Sequence, residues 1–181
     1  FNVNKMKNRK NIQKLQNLII ILIFSSIVLS MQACKIAFND YDIDTSVKTF
    51  SVAQFETTAG NAPPTIGQQF SEQLKQRVLN DTRLEYQPSK GDLTFSGAVS
   101  SYQISAIAPK NGTSVSLQRL TIRMNIEFKN NKQEDKDWSQ SFQRFADFGA
   151  DVDLSSVEEQ LTTEIYTQVI EDVFNKAFAN W

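Results

Sequence analysis

The chain is 181 residues long and carries 19 basic and 20 acidic side chains, no histidine and a single cysteine. Without histidine it lacks the commonest general base and the commonest transition-metal ligand, which argues against a serine triad or a catalytic zinc site. A lone cysteine has no partner for an intrachain disulfide.

The N-terminal segment is ordered like a secretory signal. A basic region with Lys7, Arg9, Lys10 and Lys14 precedes an apolar run over 18–29, and Leu29, Ser30, Met31, Gln32 and Ala33 lead into Cys34. The run is interrupted by Ser25 and Ser26 and falls short of the roughly 20 apolar residues that a membrane-spanning helix needs. Residues 1–33 are therefore expected to be a removed lipoprotein signal peptide, with Met6 as the true start and Cys34 as the lipidated residue of the mature chain. Met31 and Gln32 depart from the leucine and small residue more typical of such signals. At about 0.8 kcal/mol for each buried methylene, several acyl chains hold a domain on a membrane essentially permanently. Removing the signal takes away Lys5, Lys7, Arg9, Lys10 and Lys14 and no acid, which leaves 14 basic against 20 acidic side chains and a net charge of −6. That balance argues against nucleic acid as a partner, because displacing counterions from phosphates calls for a basic surface.

Residues 34–46 read as a polar, acidic tether. Asp40, Asp42 and Asp44 alternate as in a calcium loop, but Thr45 stands where the turn glycine belongs and Ser51 where the bidentate glutamate belongs, so no metal and no cofactor is assigned. A strand is expected over 47–55 on the markers Phe50, Val52 and Phe55, with an irregularity near its end. Gly60, Asn61, Pro63 and Pro64 make a loop and mark the start of a helix, whose stripe of Ile66, Phe70, Leu74 and Val78 faces a core and which ends at Asn80 and Asp81.

Three further strands follow. Leu93, Phe95, Gly97 and Val99 share a face, Tyr102 and Ile104 switch parity, and a bulge near Ser100 absorbs the slip. Leu120, Ile122, Met124, Ile126 and Phe128 then alternate against polar residues, the signature of a strand with one buried face. Trp138, Phe142 and Phe145 mark a fourth strand ending near Phe148. Residues 154–181 read as a second helix, with Ser155 and Glu158, or Ser156 and Glu159, at capping-box spacing and a wide apolar face. The predicted fold is an α+β two-layer sandwich: two helices on one face of a four-stranded sheet, in the order strand, helix, three strands, helix. The domain would span 47–181.

Six segments in this order resemble one family: KTFSV at 48–52, GDLTFSG at 91–97, LQRLTI at 117–122, FQRFADF at 142–148, LSSVE at 154–158 and VFNKAFANW at 173–181, closed by Asn180 and Trp181. With the lipid cysteine before them, they are similar to the lipopolysaccharide-assembly lipoprotein LptE, in its Bacteroidetes form. The resemblance implies a non-enzymatic subunit of the lipopolysaccharide translocon. It would be anchored by its N-terminal lipid to the outer membrane, facing the periplasm, plugging an LptD-type β-barrel, assisting its assembly and contacting lipopolysaccharide. A second reading is a periplasm-facing binding or adhesion lipoprotein unrelated to that transport. A third, a glycan hydrolase built on carboxylates such as Asp151 and Asp153, has no sign of a raised acid to support it. The parity of the clearest strand turns Arg119 and Arg123 outward with Thr121 between them, which makes this pair the candidate contact for lipopolysaccharide phosphates. The competing reading is two solvated charges, paired with Glu127 or with the fourth strand.

Overall fold

The computed structural model describes residues 43–108 and 116–178. The signal region 1–33, Cys34, the tether up to residue 42 and the closing Asn180 and Trp181 lie outside the described residues.

The elements run β1 (Thr49–Val52), β2 (Glu56–Thr57), α1 (Ile66–Asp81), β3 (Glu85–Tyr86), β4 (Leu93–Ile107), β5 (Leu117–Asn130), β6 (Trp138–Gly149) and α2 (Leu154–Phe178). They form an α+β fold, two helices with a mixed sheet of order β3-β1-β4-β5-β6, β2 pairing beside β4. The antiparallel meander β4-β5-β6 is as expected, whereas β1 runs parallel to β3 and β4. The sheet has six strands where four were predicted. The strand expected over 47–55 is split, because Phe55 leaves the ladder: its ring packs 4.9 Å from Phe70 and its N–H donates to Ser71 Oγ at 2.8 Å. The chain then rejoins the sheet as β2. The other addition, β3, spans two residues and is too short to show any alternation.

The helix α1 buries Ile66, Phe70, Leu74 and Val78 to 1 % exposure or less. At about 1.5–3 kcal/mol for each buried side chain of this size, that stripe is a main reason the helix forms at all, since helical propensity alone is marginal. The helix also depends on a close approach: a Cβ at Gly67 would lie 2.1 Å from the carbonyl oxygen of Phe55. The helix α2 begins differently from the capping-box expectation. Asp153 is the cap, its Oδ1 accepting from Ser155 N at 2.9 Å, while Glu158 accepts instead from the Tyr102 hydroxyl at 2.5 Å. A carboxylate beside the N-terminal end of a helix suits the dipole there. Tyr166, fully buried, ties α2 to α1 by donating to the Ile66 carbonyl at 2.7 Å and setting its ring edge-on to Phe70.

In the meander, Leu120, Ile122, Met124, Ile126 and Phe128 are all buried on the helix side. The ladder between β4 and β5 slips between Val99 and Ser101, where the bulge was expected. Tyr102 turns inward after it, but Ile104 is 44 % exposed against its expected burial, since β1 and β2 pair with β4 no further than Val99. Phe145 is a second correction. The inward positions of β6 are Phe142, Ala146 and Phe148, so Phe145 has the opposite parity and is 45 % exposed.

At the other end of the sheet Asp92 staples three segments. Its Oδ2 accepts from Lys48 N at 2.9 Å and from both the N–H and the hydroxyl of Thr49 at 3.0 Å, and its Oδ1 lies 3.2 Å from Lys132 Nζ. These donors hold its carboxyl down at about 2, the Lys48 N–H contributing most.

Candidate functional site

With both helices on one face, the other face of the sheet is open. Its rows read Ser105, Arg119, Asp147; then Gln103, Thr121, Phe145; then Ser101, Arg123, Gln143; then Ala98, Asn125, Ser141. Apart from the charged pair and Arg123, these are uncharged polar side chains with Ala98 and Phe145 among them, and the same face continues along β5 to Glu127 and Lys129. The strand β5 supplies both arginines because its alternation locks the apolar set inward, and a slip of one residue would bury the charges.

The two arginines are held differently. Arg119 forms a two-pronged bond to Asp147, Nε to Oδ1 at 2.7 Å and Nη2 to Oδ2 at 2.8 Å, and its guanidinium stacks 3.5 Å from the centre of the Phe145 ring. The pairing lowers the Asp147 carboxyl and raises Arg119, each through the hydrogen bonds between them. Both side chains are one-third exposed, so solvent screens the pair, which mainly fixes the direction of the guanidinium. Arg123 directs Nε and Nη2 at one neutral acceptor, Gln143 Oε1, at 3.0 and 2.6 Å. It has no carboxylate partner among the described residues. Along a strand rising about 3.3 Å per residue, the two Cα positions lie about 13 Å apart. They cannot close on one small anion together; each can meet a separate phosphate.

Sequence reasoning placed Arg119 and Arg123 on the open face, and the structure puts them there. The competing reading of pairing with the fourth strand is what the side chains do, through Asp147 and Gln143 of β6 and not Glu127, although sequence reasoning named neither these two residues nor the Phe145 ring beneath Arg119. A signal was present, since Phe145 breaks the alternation set by Phe142, Ala146 and Phe148. The suggested acid pair is not brought together as a reacting site. Asp153 caps α2 and its carboxyl is lowered by the Ser155 N–H, the opposite of what a general acid needs. Asp44 accepts from Ser46 N at 2.8 Å and from Gln133 Nε2 at 2.7 Å, and no cluster of metal-ligating side chains occurs among the described residues. An open depression of about 650 Å³ lies along 54–64, away from the arginines.

Among solved structures, a protein from Xanthomonas campestris shares the fold at a TM-score of 0.51 and 12 % identity, over 73 % of this chain and 85 % of its own. A minor lipoprotein from Acinetobacter baumannii aligns at 0.49 and 12 % identity, covering 75 % of this chain and 95 % of that one. A lipoprotein B from Nitrosomonas europaea aligns at 0.48 and 14 % identity, covering 74 % and 83 %. No curated protein matches the chain. The family model for LptE, lipopolysaccharide-assembly, matches residues 47–177, from just before β1 to the last turn of α2. A match of that extent places this chain in the LptE lipopolysaccharide-assembly family.

Proposed function

We propose that this chain is a lipid-anchored, periplasm-facing outer-membrane subunit of the lipopolysaccharide translocon, which assists assembly of an LptD-type β-barrel and plugs it. The observation that carries the reading is the family match over 47–177. The LptE family is a family of non-enzymatic outer-membrane lipoproteins of Gram-negative bacteria, and no described helix is long and apolar enough to cross a membrane. Attachment would then rest on lipid at Cys34. A plug needs a firm shape and a polar surface, and a sheet with helices packed on one face and a largely polar and charged open face supplies both.

Within this reading Arg119 and Arg123 contact lipopolysaccharide. Arg123 is the stronger element, since its neutral partner leaves its charge for a phosphate, while Arg119 offers the guanidinium edge not occupied by Asp147. The test is purification of the lipidated chain from native membranes. A large β-barrel in equal amount is expected, and depletion of the chain should lower both assembled barrel and surface lipopolysaccharide. Absence of any such barrel from the purified material would overturn the proposal.

A further inference from the structure

The two long outer edges of the sheet differ. On one side, β6 carries Arg144 and Asp147, charges of the kind that guard an exposed edge against stray pairing. On the other, β1 and β2 pair with β4 only through Val99, and from Ser101 to Ile107 no described residue pairs with its outer side. This free half, SYQISAI, has no charged residue and no proline; indeed the whole of β4 has none. Its parity is sorted, with Tyr102, Ile104 and Ala106 toward the helix side and Gln103 and Ser105 toward the open face. Ile104, at its centre, is among the most exposed large apolar side chains of the described residues.

An unguarded row of backbone donors and acceptors fits one kind of occupant, another extended strand. The parity specifies that strand further: it must place apolar side chains beside Ile104 and polar ones beside Gln103 and Ser105. Strands of membrane β-barrels alternate in this way, and they offer free edges only before closure. We infer that residues 101–107 of β4 are an acceptor edge for strand addition by a β-strand of the unclosed barrel partner, the contact through which the chain assists assembly. This rests on the function proposed above. A lysine at position 104 should block it, since a charge on an edge strand opposes pairing. Ile104 is already exposed, so the fold should tolerate the change, and Ile104→Thr keeps the β-branched shape as a control.

The experiment has two arms. In the first, the full chain in detergent micelles is titrated with a peptide of alternating Val and Thr, about ten residues as in a barrel strand, and with its scrambled copy, while backbone amide signals are followed by NMR. Expected are shifts confined to residues 101–107 with the alternating peptide, kept by Ile104→Thr and weakened at least tenfold by Ile104→Lys. Shifts elsewhere, equal response to the scrambled peptide, or unaltered binding by Ile104→Lys would overturn the inference. So would a dimer of the parent chain that Ile104→Lys dissociates, which would assign the edge to a second copy. In the second arm, Ile104→Lys in cells should lower assembled barrel severalfold while the variant still binds barrel already closed; unchanged assembly counts against the edge. If the parent chain captures no barrel in any state, the translocon reading fails, and the peptide arm still reports whether the edge accepts a strand.

Discussion

Replacing Asp92 by asparagine isolates the energetic worth of one carboxylate. Asparagine keeps an acceptor oxygen for the N–H groups of Lys48 and Thr49 but removes the charge that faces them and Lys132. The Asp92 carboxyl is held at about 2 in the folded chain against an ordinary value of 3.8. At 1.36 kcal/mol for each pH unit this corresponds to about 2.4 kcal/mol, and because the carboxylate is partly open to solvent, screening brings the expected contribution to about 1–2 kcal/mol. A depressed carboxyl stabilises fully above its unfolded value, and the stabilisation is lost as the pH falls from 3.8 through about 2. Urea unfolding of both proteins is the assay. At neutral pH, Asp92→Asn should be less stable by that amount, and near pH 2 most of the gap should be gone, because Asp92 is then about half protonated in the folded chain and almost wholly protonated in the unfolded one. Asp147 and Asp153 titrate in both proteins and cancel in the difference. A parent-to-variant gap of the same size at both pH values would refute the reasoning, as it would show that the site acts through shape and not charge.

Gly67→Ala should destabilise by about 1–3 kcal/mol although alanine is the better helix former by about 1 kcal/mol, since the new methyl meets the Phe55 carbonyl; Gly60→Ala, with nothing within 4 Å, is the control in the same thermal melts. Tyr166→Phe removes one buried hydrogen bond to Ile66 and should cost about 1 kcal/mol in urea unfolding, whereas a loss near zero would mean that the bond contributes nothing net. Arg119→Glu combined with Arg123→Glu should lower lipopolysaccharide binding at least tenfold in a purified assay while leaving thermal stability nearly unchanged, because both side chains are on the open face; equal binding eliminates them. Cys34→Ser should release the chain from the membrane fraction, and mass spectrometry of the mature N-terminal peptide should find acyl chains on Cys34 of the parent.

The sequence alone determined what depends on period and composition. Five apolar residues alternating from Leu120 to Phe128 can be buried together in only one way, so the alternation by itself dictates the inward face of β5 and the outward pointing of Arg119 and Arg123. The stripe of α1, the wide face of α2 and the bulge at Ser100 are readable for the same reason, being local patterns repeated over several residues. Tertiary structure decided whatever depends on a partner distant in the chain. The two-residue strands β2 and β3 exist only because β4 and β1 offer them backbone groups across more than 30 residues of sequence, and no short segment announces such pairing. Phe145 has the composition of a core residue and the position of a surface one, and only the register of β6 against β5 sets its ring under Arg119. Ile104 shows the same limit from the other side. Its parity is that of a buried residue, but burial also needs a neighbour, and the sheet withholds one where β1 and β2 stop.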